Sequence, residues 1–91
     1  MSGYKVEKPT VVENTSGVTN RLAATAIQGN LAANHGAQKF EVGMNDTTMQ
    51  CVNLGALGAA AQGLSTVECK NPENPQERIK VQVRHGATGP T

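Results

Sequence analysis

The first regular pattern along this 91-residue chain has helical spacing. Between residues 18 and 35, small and apolar residues recur every three or four positions, as they do along one face of an α-helix. Ser16 precedes the segment as a candidate N-cap, and Gly36 follows it where a left-handed residue often ends a helix. The pattern predicts a first helix here.

Beyond this helix the apolar residues recur at every second position. Phe40, Val42 and Met44 alternate with charged or small residues, which is typical of a strand with one buried face. The polar pair Asn45-Asp46 follows directly and favours a turn. We therefore predict a half-buried strand that ends at this turn.

The next segment resembles the start of another helix. Residues 47–50 read Thr-Thr-Met-Gln, a spacing that allows a threonine hydroxyl and a glutamine side chain to cap each other's backbone. Residues 48–62 are apolar or small on nearly every side, and Gly63 follows as a candidate C-cap. The pattern predicts a second helix, buried on several sides.

The C-terminal part of the chain indicates two strands. Residues 64–69 form a short, partly apolar run, and the two prolines in residues 71–75 indicate a turn. Ile79, Val81 and Val83 then alternate with polar residues, the clearest strand pattern in the chain. These two strands are expected to pair as a C-terminal β-hairpin.

The element order is (β)αβαββ, which predicts a small two-layer α+β domain; the alternative is a mostly α-helical hairpin. Residues 1–16 are expected to be an extended N-terminal arm able to add an edge strand. Residues 17–85 would form a single small domain, and residues 86–91 a C-terminal tail.

The core available to such a domain is thin. Hydrophobic residues make up 37% of the chain, but many are alanine, and Tyr4 and Phe40 are its only aromatic residues. A chain of this length gains little stability from a single core, and aromatic side chains normally supply much of the buried area. The composition therefore favours additional burial between molecules.

The net charge and the hydropathy pattern give no support for several classes of partner. The formal net charge of +1 gives no whole-chain attraction to nucleic acid or to an anionic membrane. The sequence has neither a long apolar run nor the pattern of a signal peptide. We expect synthesis in the cytoplasm and no membrane partner.

Cys51 and Cys69 are the only cysteines. On the predicted elements, Cys51 lies about 18 Å along the second helix from Gly63, and Cys69 about 20 Å along the following strand. A strand folding back along the helix would bring the sulfurs together, so a disulfide is geometrically allowed. Reduced, buried thiols are the more common state in a chain without a signal peptide, and we expect that state here.

No arrangement in the sequence indicates catalysis. Cys51 and Cys69 with His35 and His85 lack the paired spacing of zinc ligands, and no hydrolase or phosphate-binding motif is present. We predict a protein without enzymatic activity, metal or cofactor.

Two sets of residues are candidate interaction surfaces. Small residues of the second helix would allow close packing against another chain; they are Gly55, Ala56, Ala59 and Gly63. One face of the last strand carries a basic stripe, which would suit phosphates or an acidic protein, or would simply discourage unwanted strand pairing; it consists of Arg78, Lys80 and Arg84.

Together these features predict a structural protein that forms a homo-oligomer or decorates a larger particle with other structural proteins. In its abundance of Ala, Gly, Thr and Asn and its shortage of aromatic residues, the chain is similar in character to accessory structural proteins of bacteriophage particles. That resemblance implies incorporation into a virion as a capsid or tail component. The alternative is a small module that binds nucleic acid or an acidic protein surface through the basic stripe.

Overall fold

A computed structural model describes residues 3–34, 36–54 and 63–88 of the chain. Within these ranges one helix packs on a single antiparallel sheet. The elements are β1 (Gly3–Val6), β2 (Thr10–Asn14), α1 (Asn20–Ala33), β3 (Lys39–Met44), β4 (Thr47–Asn53), β5 (Gly63–Asn71) and β6 (Asn74–Thr88). The small α+β domain predicted from the sequence is confirmed, and the helical hairpin is not supported.

Six strands occupy five positions in the sheet. The order is β1-β6-β5-β4-β3, and β2 also pairs with β6. Because β6 is 15 residues long, β1 and β2 lie one after the other along the same side of it. Strands β1 and β2 thus fall within the predicted N-terminal arm, and residues 86–88 of the predicted tail belong to β6.

Helix α1 confirms the first predicted helix, with a different N-cap. Thr19 caps it, because its hydroxyl accepts a hydrogen bond from the Leu22 amide at 3.2 Å. At the other end Gly36 has a φ of +73°, and its amide donates to the Leu31 carbonyl at 2.9 Å. Ser16 instead lies in the turn before the helix, where its hydroxyl accepts from the Val18 amide.

The core lies between α1 and one face of the sheet. Ala23, Ala24, Ile27 and Leu31 form the buried side of the helix. Alternate residues of the strands meet them, including Val42, Met44, Met49, Cys51, Val67, Cys69, Ile79, Val81 and Val83. Helix α1 lies closest to β1, β2 and β3, the strands at the two edges of the sheet.

The predicted second helix is wrong where the structure describes it, because residues 47–53 form strand β4. Asn45 and Asp46 have φ values of +51° and +67°, as in a type I′ turn, and this turn returns the chain along β3. Met44 pairs with Thr47 across it. The Thr-Thr-Met-Gln segment therefore begins a strand, and residues 55–62 of the predicted helix lie outside the described residues.

Asn53 ties the end of β4 to the segment that follows α1. Its side chain is fully buried and donates a hydrogen bond to the Gly36 carbonyl at 3.3 Å. Its backbone amide donates to the Gln38 carbonyl at 2.7 Å. This one asparagine thus anchors the connection between the helix and β3 on the neighbouring strand.

Strands β5 and β6 form the C-terminal hairpin. Their pairing runs from Leu64 opposite Arg84 to Lys70 opposite Arg78. At the turn, the Asn71 side chain accepts a hydrogen bond from the Glu73 amide at 2.9 Å, a local bond that favours reversal of the chain.

Candidate interaction surface on the open sheet face

The sheet face opposite α1 is uncovered by any described element, and we call it the open face. Because side chains alternate along each strand, the buried residues of the core alternate with residues of this face. Most of them are polar or charged. Its members include Glu13, Gln50, Val52, Leu54, Leu64, Thr66, Glu68, Lys70, Arg78, Lys80, Gln82 and Arg84.

An apolar patch interrupts this polar face, and it consists of Val52, Leu54 and Leu64. Leu54 and Leu64 are 56% and 57% exposed, and Val52 is partly buried. The Leu54 amide donates to the Thr66 carbonyl at 2.8 Å, which places Leu54 beside β5. Leu54 lines two neighbouring depressions, one of about 510 Å³ shared with Val52 and one of about 380 Å³ shared with Leu64.

The three residues of the basic stripe lie on the open face of β6. Lys80 is flanked by two carboxylates, because Glu68 of β5 and Glu13 of β2 are its register partners. The Lys80 Nζ lies 3.9 Å from Glu68 Oε2, and both side chains remain substantially exposed. The two carboxylates offset the positive charge of Lys80 at the middle of the stripe. Another acidic residue, Glu7, lies beside Arg84, because its amide donates to the Arg84 carbonyl at 2.9 Å.

A further cation, Lys70 of β5, lies directly opposite Arg78. Like charges in opposite positions of an antiparallel pair repel each other. The sequence did not single out Lys70, because its position beside Arg78 depends on the register of two strands. The end of the open face near the β5–β6 turn is therefore its most basic part.

Cys51 and Cys69 meet across β4 and β5 and form a disulfide on the helix side of the sheet. Each is 2% exposed, and their Cα atoms are 4.0 Å apart. Such a short distance is typical of a pair that does not share backbone hydrogen bonds. The expectation of reduced thiols is therefore wrong in this structure. The cysteines come together between two neighbouring strands, whereas the sequence placed Cys51 on a helix.

Gly63 and the backbone of His85 belong to the described ranges. Gly63 begins β5 with a φ of +101°, which a glycine adopts without strain. The backbone of His85 lies in β6 opposite Val6. The predicted packing residues Gly55, Ala56 and Ala59 lie outside the described ranges, as does His35, which the sequence did not favour as a zinc ligand.

The described ranges contain no group of three or more His, Cys, Asp or Glu residues placed to hold a metal ion. None of the helical structure in them has the length and apolar character needed to span a bilayer. Comparisons with protein-family models, curated proteins and solved structures return no match for this chain.

Proposed function

We propose that this protein is a non-enzymatic structural subunit that associates with copies of itself through the open face. The observation that carries the proposal is the apolar patch, Val52, Leu54 and Leu64, on a sheet face that no described element covers. Exposed apolar residues that lie together and are rimmed by polar residues mark interaction sites on many proteins.

Burial of the patch would contribute to the free energy of association. Full burial of a leucine side chain contributes roughly 1.5–3 kcal/mol, so covering the exposed parts of Leu54 and Leu64 would contribute about 0.8–1.7 kcal/mol each. The charged residues around the patch, Glu68 and Lys80 among them, would supply a polar rim. A contribution of this size is small for a single pair of chains and suits an assembly in which the same contact is repeated.

The disulfide supports a location of the mature protein outside a reducing cytoplasm. Disulfides persist in oxidising surroundings and on the surfaces of virus particles, and they are rare in cytosolic proteins. A chain made in the cytoplasm and released within a bacteriophage-type virion, as a capsid, tail or accessory component, would meet such surroundings. The compositional resemblance to accessory phage proteins favours the same setting.

The experiment is to compare Leu64→Glu with Leu22→Glu by light scattering after size exclusion. Leu22 is a matched control, because it is 42% exposed on α1 and a glutamate there would occupy the third helical position, where it can cap the helix. At position 64 a glutamate would face Arg84, so the hairpin keeps a favourable pair. We expect Leu64→Glu to reduce the average mass of the assembly and Leu22→Glu to leave it unchanged. Equal masses for both variants would refute association through the patch.

A binding module for nucleic acid or an acidic protein is the second candidate, and the opposed cations Lys70 and Arg78 favour it. The carboxylates on both sides of Lys80 weaken it, because they lower the attraction of the stripe for phosphates. If this candidate is correct, Arg78→Glu should abolish binding of heparin as a model polyanion, and exposed Arg21 on α1 provides the matched control, Arg21→Glu.

A further inference from the structure

Strand β3 is one edge of the sheet, and its outer side is unpaired within the described residues. Met44 and Thr47 close the two-residue turn, so hydrogen-bonded and non-hydrogen-bonded pairs alternate from that point along the strand. Phe40 and Val42 accordingly direct their backbone groups toward β4. Three residues direct their amide and carbonyl groups away from the sheet, and these outward residues are Lys39, Glu41 and Gly43.

The opposite edge differs, because it carries two features that discourage pairing. Pro9 separates β1 from β2 and has no amide hydrogen to donate. The register of β2 shifts between Val11 and Glu13, which places a bulge at the edge. The described β3 has neither a proline nor a register shift. Of the two edges, β3 is therefore the one open to another strand.

The charges on β3 are complementary to those of a second copy of the same strand. We propose that two copies pair β3 with β3 in antiparallel orientation about a two-fold axis, with Phe40 opposite Phe40. In this register Lys39 of each copy lies opposite Glu41 of the other, and the backbone groups of these outward residues form the new hydrogen bonds. The two partly buried Phe40 side chains meet on the helix side of the joined sheet.

This register is favoured over its neighbours by electrostatics. A shift of two residues in one direction places Glu41 opposite Glu41, and in the other direction it places Lys39 opposite Lys39. A shift of one residue places residues whose backbone groups point out of the sheet edge opposite residues whose backbone groups point toward β4. Their hydrogen bonds are then mismatched. Only the register centred on Phe40 combines ion pairs with matched hydrogen bonds, so the edge charges select a partner instead of excluding all partners.

The edge dimer rests on the proposed function, because it gives self-association a second surface. The test therefore uses the Leu64→Glu chain, in which contact through the apolar patch is weakened and the edge remains. We expect this chain to form a dimer of about 19 kDa, twice the 9.5 kDa mass of one chain, in sedimentation velocity at high concentration. Circular dichroism of every variant checks that the exposed substitutions leave the fold unchanged.

Three further variants in this background test the register. Lys39→Glu alone and Glu41→Lys alone each convert two ion pairs of the dimer into two repulsions, so each should raise the dimer dissociation constant at least about tenfold. The double variant Lys39→Glu/Glu41→Lys restores opposite charges across the axis and should return the constant to within about threefold of its starting value.

The outcomes separate the two proposals. A Leu64→Glu chain that remains monomeric at every concentration, or single variants that dimerise as well as their parent, would overturn the edge dimer alone. A double variant as weak as the single variants would overturn the register centred on Phe40. The proposed function fails independently, when Leu64→Glu and the unaltered protein form assemblies of the same mass.

Discussion

Loss of the disulfide is expected to destabilise the domain strongly. The bond joins residues 18 positions apart, and it restricts the unfolded chain more than the folded one. For a loop of this size the chain-entropy model gives about 3 kcal/mol. A domain of 91 residues has a typical unfolding free energy of about 5–14 kcal/mol, so the bond would account for a substantial part of it.

The assay is urea unfolding followed by far-ultraviolet circular dichroism on three samples: the oxidised protein, the reduced protein and Cys51→Ala/Cys69→Ala. We expect the reduced protein to lose about 3 kcal/mol of unfolding free energy, and its Tm to fall by roughly 12–24 °C. The alanine variant should lose somewhat more, because both sulfurs are buried and their removal leaves a cavity.

Reduction adds no atoms except hydrogen, so it separates the effect of the bond from the effect of packing. Mass spectrometry of each sample under non-reducing conditions confirms whether the bond is present. If the reduced protein unfolds at the same urea concentration as the oxidised protein while the alanine variant is weakened, packing explains the loss. The loop-entropy reasoning is then refuted.

Two other substitutions test the turn and the buried amide that hold β4 in place. Asn53→Ala should lower the unfolding free energy by about 1–3 kcal/mol in the urea assay, because it leaves the buried Gly36 carbonyl without its amide donor; an unchanged midpoint would show that this bond contributes nothing. Asp46→Gly should raise thermal stability slightly, because position 46 has a φ of +67°, whereas Asp46→Val should lower it by about 1–3 kcal/mol; the reverse order would contradict the turn geometry.

The elements with local signals could be predicted from the sequence. Helix α1 follows from its apolar spacing and the left-handed Gly36, and the alternation of Ile79, Val81 and Val83 indicates β6. These signals depend on residues close together in the chain. The predictions for them are confirmed because no distant contact overrides the local preference.

Strand β4 could not be predicted in the same way. Its buried positions are Met49, Cys51 and Asn53, and the polar Asn53 interrupts the expected apolar alternation. The local sequence from Thr47 to Gln50 suits the start of a helix as well as the start of a strand. What decides between them is the pairing of β4 with two neighbouring strands, a tertiary effect that the local sequence does not show.

The composition of the open face could not be predicted from the sequence either, because it depends on the register of the strands. The sequence identified the cations of β6, but the pairing of Lys80 with Glu13 and Glu68 brings residues from three strands together. The juxtaposition of Lys70 and Arg78 arises in the same way. A stripe that looks uniformly basic along one strand becomes a surface of mixed charge once its neighbours are in place.

The position of the disulfide gives it a second role, in the alignment of the sheet. Two residues separate β3 from β4, so a tight turn fixes which residues face each other in that pair, whereas the β5–β6 pairing shifts its register between Lys70 and Asn71 beside its own turn. Nine residues separate β4 from β5, a connection too long to set their alignment as a two-residue turn does. The Cys51–Cys69 bond joins these two strands at directly opposite positions. A slip of one residue would move Val52 and Leu54 to the helix side, so the covalent bond determines which side chains the domain displays.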